Sequence, residues 1–147
     1  MGVRQIGARV HRVEDDNLIR GEGKYLDDIQ LPNMGYAAFL RSSMAHAKIS
    51  ITDTEAARTL DGVQAVFTYD TLPSSLVSKT QLETYPAPII KQSMCPELLA
   101  NDEVAHVGQA IAMVIANTRH VAEDACELIQ VEYTPLTPVV DVIKAAK

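Results

Sequence analysis

The feature that most constrains the fold of this sequence is an uninterrupted apolar run followed directly by an amphipathic helix pattern. Residues 110–116 (AIAMVIA) contain no polar side chain, which predicts a central strand covered on both faces. Asn117 or Thr118 then supplies an N-cap for a helix. The apolar side chains of that helix fall on one stripe, at Val121, Ala122, Ala125, Leu128 and Ile129. Together these elements predict a sheet with a helix packed on it.

The earlier half of the chain adds further strands and a short helix. Residues 36–40 and 48–51 are β-favouring runs, and we expect them to pair. A helix is predicted after Asp53 and Thr54, closed by Gly62 and followed by a strand at 63–69, as in a β-α-β unit. A last strand is predicted around Val131, and a terminal helical turn at 142–146. The predicted fold class is α+β, with a mixed β-sheet and helices mainly on one side.

We expect one domain over residues 1–147, with two atypical segments. Residues 1–23 form an N-terminal arm whose helix, predicted at 13–20, is stopped by Gly21. Residues 23–29 are predicted to form a strand or an extended arm, and residues 31–35 a turn. Residues 70–101 have dispersed prolines and little periodicity, so we expect an irregular segment that is the least ordered part.

Composition excludes several classes of protein. The chain has 47% hydrophobic and 22% charged residues, which is typical of a globular protein. Its net charge of -6 opposes nucleic-acid binding, because that affinity comes from neutralising phosphates. No apolar run approaches the roughly 18 residues of a membrane span, and no secretory signal is visible, so we expect a cytoplasmic protein without membrane attachment. The two cysteines cannot supply the four ligands of an iron–sulfur cluster.

No motif in the sequence predicts a catalytic, cofactor-binding or metal-ligating residue. Residues 21–24 (GEGK) lack the earlier glycine and the following Ser or Thr of a phosphate-binding loop. The four histidines are scattered without the close spacing of zinc ligands, and His46 is expected to satisfy loop carbonyls. Ser42, Ser43, His46 and Asp53 contain the ingredients of a hydrolytic triad, but no nucleophile-elbow pattern surrounds either serine. Cys126 is expected to pack as a small hydrophobe, while Cys95 falls in the irregular segment.

An ordered series of motifs runs along nearly the whole chain. It begins with residues 12–15 (RVED) and 18–29 (LIRGEGKYLDDI), and continues with 31–35 (LPNMG), 39–42 (FLRS) and 45–49 (AHAKI). In the second half it comprises 107–109 (VGQ), 122–125 (AEDA) and 131–133 (VEY). This series resembles the opening domain of the molybdenum hydroxylase large subunits. The chain departs from the usual pattern at Met44 and Ala110, where the family commonly has prolines.

The resemblance implies an N-terminal α/β-hammerhead domain of the xanthine dehydrogenase, aldehyde oxidase and carbon monoxide dehydrogenase family. In that family this domain is mainly structural, and the molybdopterin cofactor and the catalytic glutamate belong to later domains. The implied partners are a molybdenum-cofactor-binding domain or subunit and iron–sulfur and flavin subunits. Gly108 and Gln109 are the candidates for contact with a neighbouring domain.

The leading hypothesis is therefore a non-catalytic part of a molybdopterin-dependent oxidoreductase, and two alternatives remain open. One is a free-standing protein-interaction module derived from that family, with residues 70–101 ordering on a partner. The other is a hydrolase that uses His46 and Asp53. We also expect the isolated chain to form a symmetric dimer, because a domain separated from its neighbours exposes apolar surface.

Overall fold

The computed structural model describes residues 11–77 and 97–145. These residues divide into two units, with the boundary between Met34 and Gly35, and each unit is described by itself. The expected single domain over 1–147 stays a prediction. Among the described residues, no helix is long and apolar enough to cross a membrane.

The first unit consists of short local structures. Helix α1 (Asp15–Ile19) ends ahead of Gly21, which adopts a φ of +71°, as the predicted glycine stop requires. The strand or extended arm predicted for residues 23–29 is wrong at Leu26–Asp28, which form a 3₁₀ turn. The cause is local, because the Asp28 carboxylate accepts a hydrogen bond from the Tyr25 N–H at 2.9 Å. The turn predicted at 31–35 is present, with Asn33 at a φ of 61°.

The second unit contains six strands in two three-stranded sheets. The strands are β1 (Tyr36–Arg41), β2 (Ala47–Asp53), β3 (Val63–Thr68), β4 (Glu103–Val104), β5 (Ala110–Ala116) and β6 (Gln130–Pro135). The first sheet has the order β1-β5-β3 and the second the order β4-β2-β6. Its remaining helices are α2 (Glu55–Thr59), α3 (Ser74–Val77), α4 (Arg119–Glu127) and α5 (Val142–Ala145).

The α+β class is confirmed, but the strand pairing differs from the expectation of one mixed sheet. Every described pairing is antiparallel. β1 pairs with β5 rather than with β2, and β2 and β3 lie in different sheets, so β2-α2-β3 is not a unit of one sheet. Alternation along a strand shows which side chains are buried but not which strand lies alongside, so these long-range partners were mispredicted.

Strand β5 lies in the centre of the first sheet, as its apolar run predicts. It is flanked by β1 and β3, and helices α2 and α4 pack on one face. The core cluster formed there, here called the first cluster, contains Ala57, Val66, Ala112, Val114, Ala125, Cys126 and Ile129. A second cluster, between the second sheet and the beginning of β5, contains Ala47, Ile49, Ala100, Val104 and Ile111. Leu40, Ile51 and Val131 contact both clusters and join the two sheets into one core.

Helix α4 follows the sequence prediction closely. Thr118 is its N-cap, and its hydroxyl oxygen accepts a hydrogen bond from the Val121 N–H at 3.3 Å. Ala122, Ala125 and Ile129 of the predicted stripe are buried. Leu128 is 40% exposed and forms the C-cap, just beyond the last helical residue. Cys126 is buried, as predicted. Burial is the main cause that raises the pKa of its thiol, and the negative charge of Glu123 adds to the effect.

The segment predicted to be irregular is described only at its ends. A 3₁₀ turn at Tyr69–Thr71 leads to α3, and Leu99 and Ala100 are buried where the description resumes. Residues 78–96, including Cys95, lie outside the described residues. The predicted low order of that stretch therefore stays a prediction.

The neighbouring alanines of α2 provide a matched test of this packing. Ala57 is fully buried in the first cluster, whereas Ala56 is exposed on the same helix. We expect Ala57→Leu to lower the free energy of unfolding by about 1–3 kcal/mol, because added methylenes overpack the contact with the sheet. Ala56→Leu should change it by less than about 0.5 kcal/mol. Urea unfolding followed by circular dichroism measures both, and equal effects would contradict the described orientation of α2.

Candidate interface site

The loop that carries Gly108 and Gln109 is bound to the loop that follows β1. The Gly108 N–H donates to the Ser42 carbonyl at 2.8 Å, and the Ser42 N–H donates to the Gln109 carbonyl at 2.9 Å. The Gln109 side chain turns inward, and its Oε1 accepts from the Ala105 N–H at 2.8 Å. Gln109 therefore shapes its own loop, and Gly108 is the residue that stands at the loop tip.

Gly108 has both a conformational and a spatial reason to be glycine. Its φ is +88°, a left-handed value that strains any residue with a Cβ. A Cβ built on it would meet no atom of the chain within 4 Å, so one side of this backbone is open. The neighbouring Val107 is also largely exposed. An open backbone beside an exposed apolar side chain is suited to close approach by another polypeptide.

Arg41 and Phe39 extend this site onto strand β1. The Arg41 guanidinium donates from Nη1 to the Gly108 carbonyl at 2.9 Å and lies over the Phe39 ring, 5.4 Å from its centroid. Sequence reasoning assigned no role to either residue. The alternation of β1 could have revealed them, because it places Phe39 and Arg41 on the side opposite the partly buried Leu40.

His46 binds the chain that leaves β6. Its Nδ1 lies 2.9 Å from the Thr137 carbonyl oxygen and its Nε2 lies 2.7 Å from Glu103 Oε1. Its own carbonyl accepts from the Leu136 N–H at 2.9 Å. Both ring nitrogens face acceptors, and only the protonated imidazole can donate to both. The Thr137 carbonyl, and next the Glu103 side chain, raise the pKa of His46 above its ordinary value.

The hydrogen bonds of Ser42, His46 and Asp53 do not form a hydrolytic triad. The Ser42 hydroxyl donates to the Met44 carbonyl and accepts from the Met44 N–H, at 2.9 and 3.0 Å. Both nitrogens of His46 are occupied, and Asp53 accepts from the Glu55 N–H at 2.8 Å. Asp53 ends the strand that begins just after His46, so roughly 20 Å of extended chain separate them. The structure does not bring the three residues together.

The described residues offer no metal site and a cleft of unsuitable charge for an anionic cofactor. Within 11–77 and 97–145, no group of three His, Cys, Asp or Glu residues is placed to hold a metal ion. A cleft of about 530 Å³ is lined by residues of β2, α2 and the turn after β3. Three carboxylates, Asp53, Glu55 and Asp70, stand around the single guanidinium of Arg58 there. An anionic group would meet net repulsion in this cleft.

The two acceptors on His46 generate a pH-dependent prediction. A raised folded-state pKa stabilises the fold fully below pH 6.5, and that contribution is lost as pH rises through the raised pKa. NMR titration should give His46 a pKa above 6.5, and Glu103→Gln should lower it because the carboxylate charge is removed. Glu132→Gln, an exposed carboxylate on β6, is the matched control and should leave it unchanged. An identical His46 titration in the Glu103→Gln variant would contradict the described contact.

Comparison with known proteins places this geometry in a family. Residues 20–137 match the family model described as aldehyde oxidase and xanthine dehydrogenase, a/b hammerhead domain. The chain is 39% identical over 140 residues to the carbon monoxide dehydrogenase large chain of Afipia carboxidovorans, covering 95% of this chain and 16% of that protein. It is 40% identical over 143 residues to the nicotine 6-hydroxylase large subunit of Paenarthrobacter nicotinovorans, covering 92% and 16%.

A solved structure agrees with these sequence relatives. Quinoline 2-oxidoreductase from Pseudomonas putida 86 superposes with a TM-score of 0.78 at 38% identity, over 94% of this chain and 17% of that one. The chain thus spans about one sixth of the length of the relatives it matches. The α/β-hammerhead architecture implied by the motifs is confirmed, and this chain belongs to the family of aldehyde oxidase and xanthine dehydrogenase a/b hammerhead domains.

Proposed function

We propose that this chain is a structural, non-catalytic domain of a molybdopterin-dependent oxidoreductase, whether joined to the remaining domains or encoded apart from them. The two sequence relatives are the large chain of a carbon monoxide dehydrogenase and the large subunit of a nicotine 6-hydroxylase. This chain matches about one sixth of each. A segment of that size would serve as one supporting domain of a much longer polypeptide.

The observation that carries the proposal is the exposed apolar surface of the N-terminal unit. No described residue between 11 and 34 is buried. Val13, Ile19 and Leu26 have 97%, 85% and 87% of their surface exposed. Burial of each side chain of this kind stabilises a protein by about 1.5–3 kcal/mol, so their exposure in the N-terminal unit is unfavourable in water. A neighbouring domain that covers these side chains would remove this cost.

The charge of the described cleft disfavours binding of the molybdopterin cofactor there. Its phosphate needs cationic or N–H donors, whereas the cleft between α2 and the turn after β3 carries three carboxylates against one guanidinium. This charge supports a cofactor held by another domain or subunit. We further propose iron–sulfur and flavin subunits as the partners that complete the electron path, as the resemblance to this family implies.

Molybdenum content of the polypeptide that carries this sequence tests the proposal. With a tag added in its source cells, we expect molybdenum in a stoichiometric ratio to the purified polypeptide or its tight partner, measured by elemental mass spectrometry. The double variant Ile19→Asp/Leu26→Asp should reduce that ratio at least about tenfold, since charges on two exposed apolar side chains block their burial. Gln30→Asp, at an exposed polar position of the same unit, should not reduce it.

Two results would overturn the proposal. One is a wild-type preparation without molybdenum that binds an unrelated protein tightly, which would favour a free-standing interaction module. The other is substrate turnover by residues 1–147 alone.

Self-association of the isolated chain is a separate prediction. Because Val13, Ile19 and Leu26 are exposed, we expect residues 1–147 to form a dimer of two 16.0 kDa chains at high concentration. Light scattering should give a mass near the dimer for wild type and near the monomer for Ile19→Asp/Leu26→Asp. A wild-type monomer at millimolar concentration would contradict this expectation.

A further inference from the structure

One face of the first sheet is apolar and only partly covered. Antiparallel pairing aligns Phe39 with Met113, and Met113 with Phe67, in one row across the sheet. The next row consists of Ala37, Ile115 and Ala65. Residues directly opposite on neighbouring strands project to the same side. These six side chains, here called the open face, therefore form one continuous surface.

The other side of the same sheet shows the contrast. Ala38 and Leu40 of β1 pack against the first cluster, together with the buried Val114 of β5 and Val66 of β3. Helices α2 and α4 supply the covering residues there. On the open face, Phe39 keeps 43% of its surface exposed and Met113 is only half-buried. Of the described elements, the two helices that cover this sheet thus lie on the opposite side.

The open face has the chemistry of a protein-binding surface. Two phenylalanines flank a methionine, and none of the six residues is polar. Aromatic residues, methionine and arginine are enriched at the centres of interfaces, and methionine adapts its shape to a partner. Arg41 lies two residues beyond Phe39 on β1, and one of its five N–H donors binds the Gly108 carbonyl. The open face therefore continues into the Gly108 loop tip.

We infer that the open face, with Arg41 and Gly108 at its end, is the docking surface for the part of a molybdenum-hydroxylase-type large chain that lies outside residues 1–147. This inference rests on the proposed function and adds the location of the contact. The length of the relatives supports this occupant, because five sixths of each lies beyond the matched region. The occupant presents an uncharged apolar segment to the two rows and an acceptor oxygen to Arg41.

A photo-crosslinking amino acid at position 39 tests the location directly. It is placed in the tagged polypeptide in its source cells, with a matched placement at Leu128, the C-cap of α4, which is 40% exposed. Mass spectrometry should find crosslinks from position 39 to peptides outside residues 1–147 of the large chain, and few or none from position 128. Crosslinks from 39 that stay within residues 1–147, whether to the same or a second copy, would overturn the inference.

Substitutions give a second measurement that separates this inference from the proposed function. Phe39→Asp should lower the molybdenum ratio at least about tenfold, as removal of an interface anchor does, whereas Leu128→Asp should leave it within about twofold. Phe39→Leu should retain most of it, because the apolar contact survives. Wild type with molybdenum and an unaffected Phe39→Asp variant would refute the docking surface alone. Wild type without molybdenum would refute the proposed function and this inference together.

Discussion

The close approach of helix α4 to the first sheet is the contact on which the second unit depends. Ala122 and Ala125 of the helix and Ala112 and Ala116 of β5 are all fully buried. Small side chains on a helix and on a sheet let the two backbones come near each other, which increases the number of dispersion contacts. The central strand is held by this packing on one face and by hydrogen bonds to β1 and β3 at both edges. Its position then determines which side chains point away from the helices.

The second sheet is attached to this core by shared side chains and by polar bonds at its rim. Leu40 and Val131 belong to both clusters, so the two sheets cannot separate without exposing apolar surface. At the rim, His46 holds Thr137 and Glu103, which fixes the path of the chain as it leaves β6. At the interface site, the Gly108 N–H donates a hydrogen bond to the Ser42 carbonyl. The polar residues of these loops thus secure the fold itself.

Sequence reasoning succeeded where the determinant is local. The run of residues 110–116, the Thr118 cap and the Gly21 stop each depend on a few adjacent residues, and the structure has all three. It failed where the partner is distant in sequence, since nothing in β1 indicates that β5 rather than β2 lies beside it. The alternation of β1 places Phe39 and Arg41 on one side of the strand, but it does not reveal their contacts. Their importance depends on Met113 and Gly108, which are about 70 positions away along the chain.

The hydrogen bonds of the polar groups around the interface site accord with the proposed structural role. A catalytic side chain needs a donor, acceptor or lone pair left for the substrate. In the interface site, the Gln109 amide bonds to Ala105, the Ser42 hydroxyl to Met44, and the His46 ring to two acceptors. Each group satisfies the chain's own backbone or side chains. Val107 and Phe39 add exposed apolar area around this site, Arg41 adds a guanidinium and Gly108 an open backbone, and under the proposed function these groups supply contact energy and shape.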